Sequence, residues 1–394
     1  MTQAVNKSPE RHGVMIVTGE ASGDLHGSRL IKALRTLRTD IDFCGVGGRL
    51  MEAEGCEILF RGEDLAVVGL VEVVRHFKPI YSAFKKLEAI LGSEEKPDVL
   101  VLIDFPEFNL RLAAKAKKAG VPVLYYVSPQ VWAWRRGRVH KIAQVVDRLA
   151  AVFPFEPELY RGLDIDVQYV GHPLVTDFYV ATSRETFLRQ YGLDPSRKVV
   201  GLFPGSRRSE IRYCLDTLLK AAELVMHKSP DVQFLLPIAP SLSADLLRTH
   251  VATSGVEVTL VDSSIYDIAA ACDAIATVSG TVTLQIALTA TPMAIIYKLN
   301  PITYIIGKRL IKVPYVGLPN IVAGKKIVRE FIQNDASPDA ICKEILRLLT
   351  EEAYAAQARK DLAEVGLLLG RPGCSERVAN MVAEMIEPVR KEAV

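Results

Sequence analysis

The sequence predicts an α/β protein made of two successive doubly wound parallel sheets. Three observations carry that prediction. The chain has 394 residues, room for two large domains or three smaller ones. Short apolar runs alternate with helical patterns almost throughout, and continuous apolar strands separated by helices mean a parallel sheet covered on both faces. The alternation pauses at Val170-Gly-His-Pro-Leu174 and then restarts, which marks two sheets rather than one. With 49% hydrophobic and 24% charged residues the chain can bury a large core, which excludes a mainly disordered protein. Forty-eight Lys+Arg against 46 Asp+Glu leave a formal charge of +2, so no basic excess points to nucleic acid.

The elements follow in order. The first residues are polar where an export signal would be apolar, and no such signal is expected. Six scattered cysteines with no C-x-x-C pair fit a reducing cytoplasm better than a zinc site or disulfide framework. Runs at 14–18, 98–103, 121–127 and 149–153 predict strands, the first three followed by partly helical segments. A polar helix over 184–191 stops at Gly192, with Pro195 just beyond. The second series has strands at 198–203, 232–237, 256–261, 274–277 and 293–297, and a helix at 211–228. Residues 274–297 carry no charge and are long enough to span a bilayer. Ser279, Gly280, Gln285 and Pro292 inside that stretch give it the texture of strand, turn, helix and strand instead. A last helix over 375–394 has Ser375 as its N-cap. The expected boundaries are 1–178, 179–370 and 371–394, the last helix crossing back to the first domain.

Ligands of open α/β sheets bind beyond the carboxyl ends of the strands, so the loops there are where chemistry is expected. The first strand runs into Thr18-Gly-Glu-Ala-Ser-Gly-Asp-Leu-His-Gly27, which lacks the dinucleotide fingerprint G-x-G-x-x-G. Glu20 and Asp24 would repel a diphosphate there, and their plain role is capping and dipole compensation at the helix start. The Gly45-Val-Gly-Gly48 turn has Leu50 where a third glycine would stand, so nicotinamide or flavin binding is disfavoured and no cofactor is expected. Phe203-Pro-Gly-Ser-Arg-Arg-Ser-Glu-Ile211 is the opposite case. Gly205 admits close approach, Ser206 offers a hydroxyl and Arg207 a guanidinium fork, the groups a diphosphate needs. The uncharged turn Val278-Ser-Gly-Thr-Val-Thr-Leu284 also sits between strand and helix, so Ser279, Gly280 and Thr281 are expected to bind the same nucleotide diphosphate.

A strand delivers Asp104 in Asp104-Phe-Pro-Glu-Phe-Asn109, where desolvation would raise the carboxyl towards the range of a general base. Helix capping is the alternative role for Asp104; Glu107 is the second candidate base and His26 the third. Tyr125-Tyr-Val-Ser-Pro-Gln-Val-Trp-Ala-Trp134, followed by Arg135, Arg136, Arg138 and Lys141, suits stacking on sugars or bases and suits core packing equally. The run over 65–80 is too apolar all round for an ordinary surface helix; it is either core or a contact with acyl chains or a membrane surface. The D-x-D triplets Asp40/Asp42 and Asp164/Asp166 lie away from the phosphate turns and read as surface turns, so no metal is expected.

The ordered set GEASGDLHG (19–27), LAVVGLVEV (65–73), IDFPEFN (103–109), YVSPQVWAWR (126–135), VGHPL (170–174), FPGSRRSEI (203–211), SGTVTL (279–284) and KRLIKVPYVGLPNIVAGKKIV (308–328) resembles the lipid-A-disaccharide synthase family. The resemblance implies a GT-B glycosyltransferase with two Rossmann-like lobes facing a cleft, acceptor side first and UDP-sugar side second. It implies an inverting, metal-independent transfer of 2,3-diacylglucosamine from its UDP derivative to 2,3-diacylglucosamine 1-phosphate (lipid X), giving UDP and a β(1→6) disaccharide in lipid A biosynthesis. Asp104 then falls on the catalytic base, with Glu107 and Ser22 beside it. Gly205, Ser206, Arg207, Ser279, Gly280, Thr281, Gln285 and Asn320 fall on the donor side, and Glu20, Asp24, His26, Val68 and Leu70 on the acceptor and membrane side. Gln285 stands where relatives often carry Glu, so a ribose contact there would lose its charge and keep a hydrogen bond. Arg329 replaces a frequent Pro or Lys. The implied setting is a Gram-negative cell, with the enzyme cytoplasmic and peripheral on the inner membrane; a homodimer is an open option. The rival reading is a UDP-sugar isomerase of the UDP-N-acetylglucosamine 2-epimerase type on the same fold.

Overall fold

The computed structural model describes residues 11–65, 70–133, 137–300, 304 and 313–386, without side chains for 70–78. The chain folds into two compact units, one holding the residues up to Thr176 and those from Arg371, the other Asp177–Gly370.

The first unit is a seven-stranded parallel sheet. Its strands are β1 (His12–Thr18), β2 (Ile41–Gly47), β3 (Glu57–Arg61), β4 (Val99–Ile103), β5 (Val123–Tyr126), β6 (Arg148–Ala151) and β7 (Asp166–Tyr169), in the order β3-β2-β1-β4-β5-β6-β7. Order reverses between β1 and β4, which pair with Thr18 opposite Ile103, so the loops after these two strands open at the switch point where α/β proteins bind ligands. The central strands are the runs that are apolar on both faces; β4 is buried at every residue. Strands β2, β3 and β7 lie outside the expected runs. β3 and β7 are half-exposed edges, β3 only three apolar residues long between Glu57 and Arg61 and β7 alternating with polar residues, and β2 is broken up by glycine. Gly45 is there because β1 passes so close that a Cβ would stand 1.9 Å from the Ile16 carbonyl oxygen.

Around this sheet lie α1 (Ala21–Leu37), α2 (Arg49–Ala53), α3 (Leu70–Leu91), α4 (Pro106–Lys118) and α5 (Arg138–Val145). The last described helix, Cys374–Ile386, belongs to this unit and packs on α1. Arg377 donates to the Val170 carbonyl (2.8 Å), and Cys374 bridges the Tyr126 hydroxyl (3.2 Å) and the Gly171 carbonyl (3.1 Å).

The second unit is a six-stranded parallel sheet of β8 (Lys198–Phe203), β9 (Val232–Pro237), β10 (Thr259–Val261), β11 (Ala274–Val278), β12 (Met293–Tyr297) and β13 (Arg329–Ile332), in the order β10-β9-β8-β11-β12-β13. The uncharged stretch over 274–297 is β11, a short helix and β12, and no described helix is long and apolar enough to cross a membrane. The expected helix over 211–228 opens as a π-turn, Ile211–Leu215, before the regular helix Asp216–Lys228. All six cysteines are free and buried.

Candidate functional site

In the first unit, chemistry collects at the carboxyl ends of β1, β4 and β5. β4 is followed by two consecutive left-handed residues, Asp104 (φ 49°) and Phe105 (φ 47°), and β5 by a third, Val127 (φ 55°). Such conformations cost an L-residue about 1–3 kcal/mol each and persist only where the surroundings over-determine them. Here buried Asn109 donates to the Asp104 carbonyl (2.7 Å), and so does the Tyr125 hydroxyl (2.6 Å), while the Asp104 amide donates to the Tyr126 carbonyl (3.3 Å). Gly19 packs on the Phe105 ring, where any side chain would collide at 2.6 Å.

The result is a half-buried carboxylate facing a cavity of about 220 Å³ that Ser128, Gln130 and Arg138 also line. Burial raises the Asp104 carboxyl above its ordinary value, the like charge of Glu20 adds to this, and the Phe105 amide opposes it. Capping is thus not what sets this carboxyl apart; burial is. Glu107 faces solvent and is ion-paired with Arg138. Ser22 is exposed in the first turn of α1, and Glu20 is exposed at that helix's N-cap. His26, half-buried one turn further on, lies 5.8 Å from the Tyr126 ring.

Asp24 departs from expectation. Instead of serving its own helix or an acceptor, it is buried and accepts from the amides of Gly48 (2.7 Å), Leu50 (3.0 Å) and Met51 (3.1 Å), capping α2. Trp132 is core: it meets Phe153 and Phe155 edge to face at 5.8 and 5.5 Å. Trp134, Arg135, Arg136 and Val68 lie outside the described residues, as does the Leu70 side chain. Of the D-x-D triplets, Asp40 is paired with Arg38 (2.6 Å), which holds its carboxyl down to about 2, and Asp166 with Arg148 (3.2 Å). No cluster able to hold a metal occurs among the described residues.

In the second unit the three adjacent strands β9, β8 and β11 end at one cavity of about 530 Å³. Gly205, Ser206 and Arg207 line it from the first turn, Ser279, Gly280 and Thr281 from the second, and Gln285 from the helix Val282–Leu288. The sequence therefore places seven expected residues around one volume. Their hydrogen bonds refine the picture. The Ser279 amide donates to the Ile296 carbonyl and its hydroxyl to the Val316 carbonyl (2.7 Å), so of that turn's expected amides only Gly280 and Thr281 remain as candidates.

The Ser206 and Arg207 amides both donate to Glu210 (2.9 and 3.1 Å), a lining residue the sequence reading missed. Gly205 is required here: its φ is +104°, and a Cβ would stand 2.1 Å from the Glu210 carboxylate. The Arg207 side chain is 80% exposed and ion-paired with Glu210 at 3.3 Å, a contact that an incoming anion would have to replace.

Asn320, expected beside the nucleotide, is elsewhere. It is fully buried, its Nδ2 donating to Val328 and Glu330 and its Oδ1 accepting from the Ile327 and Val328 amides, all at 2.8 Å. With every donor and acceptor used, it clamps the start of its own short helix, Leu318–Ala323, to the entry of β13 and has nothing left for a ligand.

The model of the Lipid-A-disaccharide synthetase family matches residues 14–384. The chain belongs to this family. A lipid-A-disaccharide synthase from Syntrophotalea carbinolica is 58% identical over 383 residues, covering 97% of each chain. Among solved structures, a UDP-GlcNAc 2-epimerase from Neisseria meningitidis bound to UDP-GlcNAc has a TM-score of 0.63 at 12% identity, covering 94% of this chain and 100% of its own. The glycosyltransferase of kitacinnamycin has a TM-score of 0.61 at 15% identity, with 96% and 100% coverage. The fold is thus GT-B, shared by transferases and epimerases, while sequence likeness singles out the synthases. The isomerase alternative is not favoured.

Proposed function

We propose that this chain, a glycosyltransferase of lipid A biosynthesis, moves 2,3-diacylglucosamine from its UDP derivative to the 6-hydroxyl of lipid X. The near-full-length likeness to a lipid-A-disaccharide synthase supports that choice of reaction. The observation that carries the mechanism is the desolvated Asp104 carboxylate at the end of β4.

In this reading Asp104 takes the proton of the acceptor hydroxyl while that oxygen displaces UDP from the anomeric carbon, inverting it, and then loses the proton to solvent. A raised pKa makes the carboxylate a stronger base, and it also means that activity falls as pH drops through that pKa. Arg207, the Ser206 hydroxyl and the Gly280 and Thr281 amides would stabilise charge gathering on UDP, the electrostatic work that a metal does elsewhere. Gln285 would offer a neutral hydrogen bond to the nucleotide.

The apolar 65–80 run would receive acyl chains or rest on the cytoplasmic face of the inner membrane, with the enzyme peripheral to it. Asp104→Asn tests the mechanism: turnover should fall about 10²–10⁴-fold with the Kd for UDP unchanged. Near-wild-type turnover would remove Asp104 from the reaction.

A further inference from the structure

We propose that Arg138 binds the phosphate of the acceptor, with Glu107 holding its place until the acceptor arrives. The inference rests on the acceptor reading above. Arg138 opens α5 and is the only cation among the described residues lining the cavity of Asp104, Ser128 and Gln130. Its side chain is only 16% exposed, whereas that of its partner Glu107 is 65% exposed. The guanidinium is thus built into the cavity wall and its counter-ion comes from the solvent side. A guanidinium fork matches phosphate oxygens bidentately, so an incoming phosphate can replace one exposed carboxylate on better terms.

The electrostatics of the base point the same way. Asp104 shares this cavity with Arg138, yet its carboxyl is raised by burial and by the like charge of Glu20, against the Phe105 amide. Arg138 is ion-paired with Glu107. A phosphate taking over from Glu107 would keep Arg138 paired with an anion and leave Asp104 basic. In a hexopyranose 1-phosphate the phosphate on C1 and the hydroxymethyl group on C5 flank the ring oxygen, so a base and a guanidinium lining a single sugar-sized cavity would address both. Recognition would then reject a sugar without an anomeric phosphate.

The test compares lipid X with the same diacylated sugar lacking its phosphate, using the full chain and the UDP-sugar donor. Arg138→Met should raise KM for the phosphorylated acceptor about 10- to 100-fold. KM for the unphosphorylated acceptor and for the donor should stay unchanged. Arg138→Lys keeps the charge and loses the fork, so it should give a smaller loss confined to the phosphorylated acceptor. Equal losses on both acceptors, or none on either, would overturn the inference, because a merely structural ion pair does not discriminate between them. Wild-type enzyme that joins neither acceptor would instead bring down the reaction itself, a failure visible before any variant is made.

Discussion

Glu156 shows how strongly a single buried side chain can tie this fold to pH. It accepts from the Val152 and Phe153 amides (2.9 and 3.0 Å), just past the end of β6, and burial pushes its carboxyl up to about 7. The folded state therefore holds a proton that the unfolded chain releases near pH 4.5, so stability is lost as pH rises from there through 7. The shift corresponds to a loss of up to about 3 kcal/mol. Glu156→Gln cannot ionise, and its Tm should decline less between pH 5 and 8 than that of the wild type; parallel profiles would remove Glu156 as the cause. At this scale the sequence was informative wherever a residue's role follows from its strand. Asp104 could be found because an apolar strand delivers it. Asp24 and Asn320 could not, since their partners, the amides of α2 and the Val328–Glu330 loop, become neighbours only on folding.

Among elements, the buried strands were legible because a strand covered on both faces is a continuous apolar run. Edge strands such as β3 and β13 carry only two or three apolar residues beside charged ones and blend into loops. At its described ends, Leu65 and Ile80, the apolar 65–80 run packs with the core. Leu65 is buried, and the described end of α3 packs Ala83, Leu87 and Leu91 into the core while Tyr81 is exposed. That leaves the stretch around Val68 and Leu70, whose composition suits an apolar surface better than water. Val68→Ser with Leu70→Ser should lower partitioning onto vesicles of anionic phospholipid at unchanged Tm. Unchanged partitioning of the folded variant would rule out that contact.

For the whole molecule, a formal charge of +2 conceals a division of labour between two units. One presents carboxylates, with Asp104 raised by Glu20, and the other presents Arg207, paired with Glu210, and an uncharged turn around a single cavity. That division suits a reaction in which one substrate loses a proton and the other loses UDP, whose diphosphate gains a negative charge as it departs. The measurement that tests it most directly is UDP release from UDP-2,3-diacylglucosamine, with and without lipid X. The account predicts UDP release that depends on lipid X and matches the disaccharide formed mole for mole. Release of UDP without acceptor, or a donor epimerised in place, would contradict it.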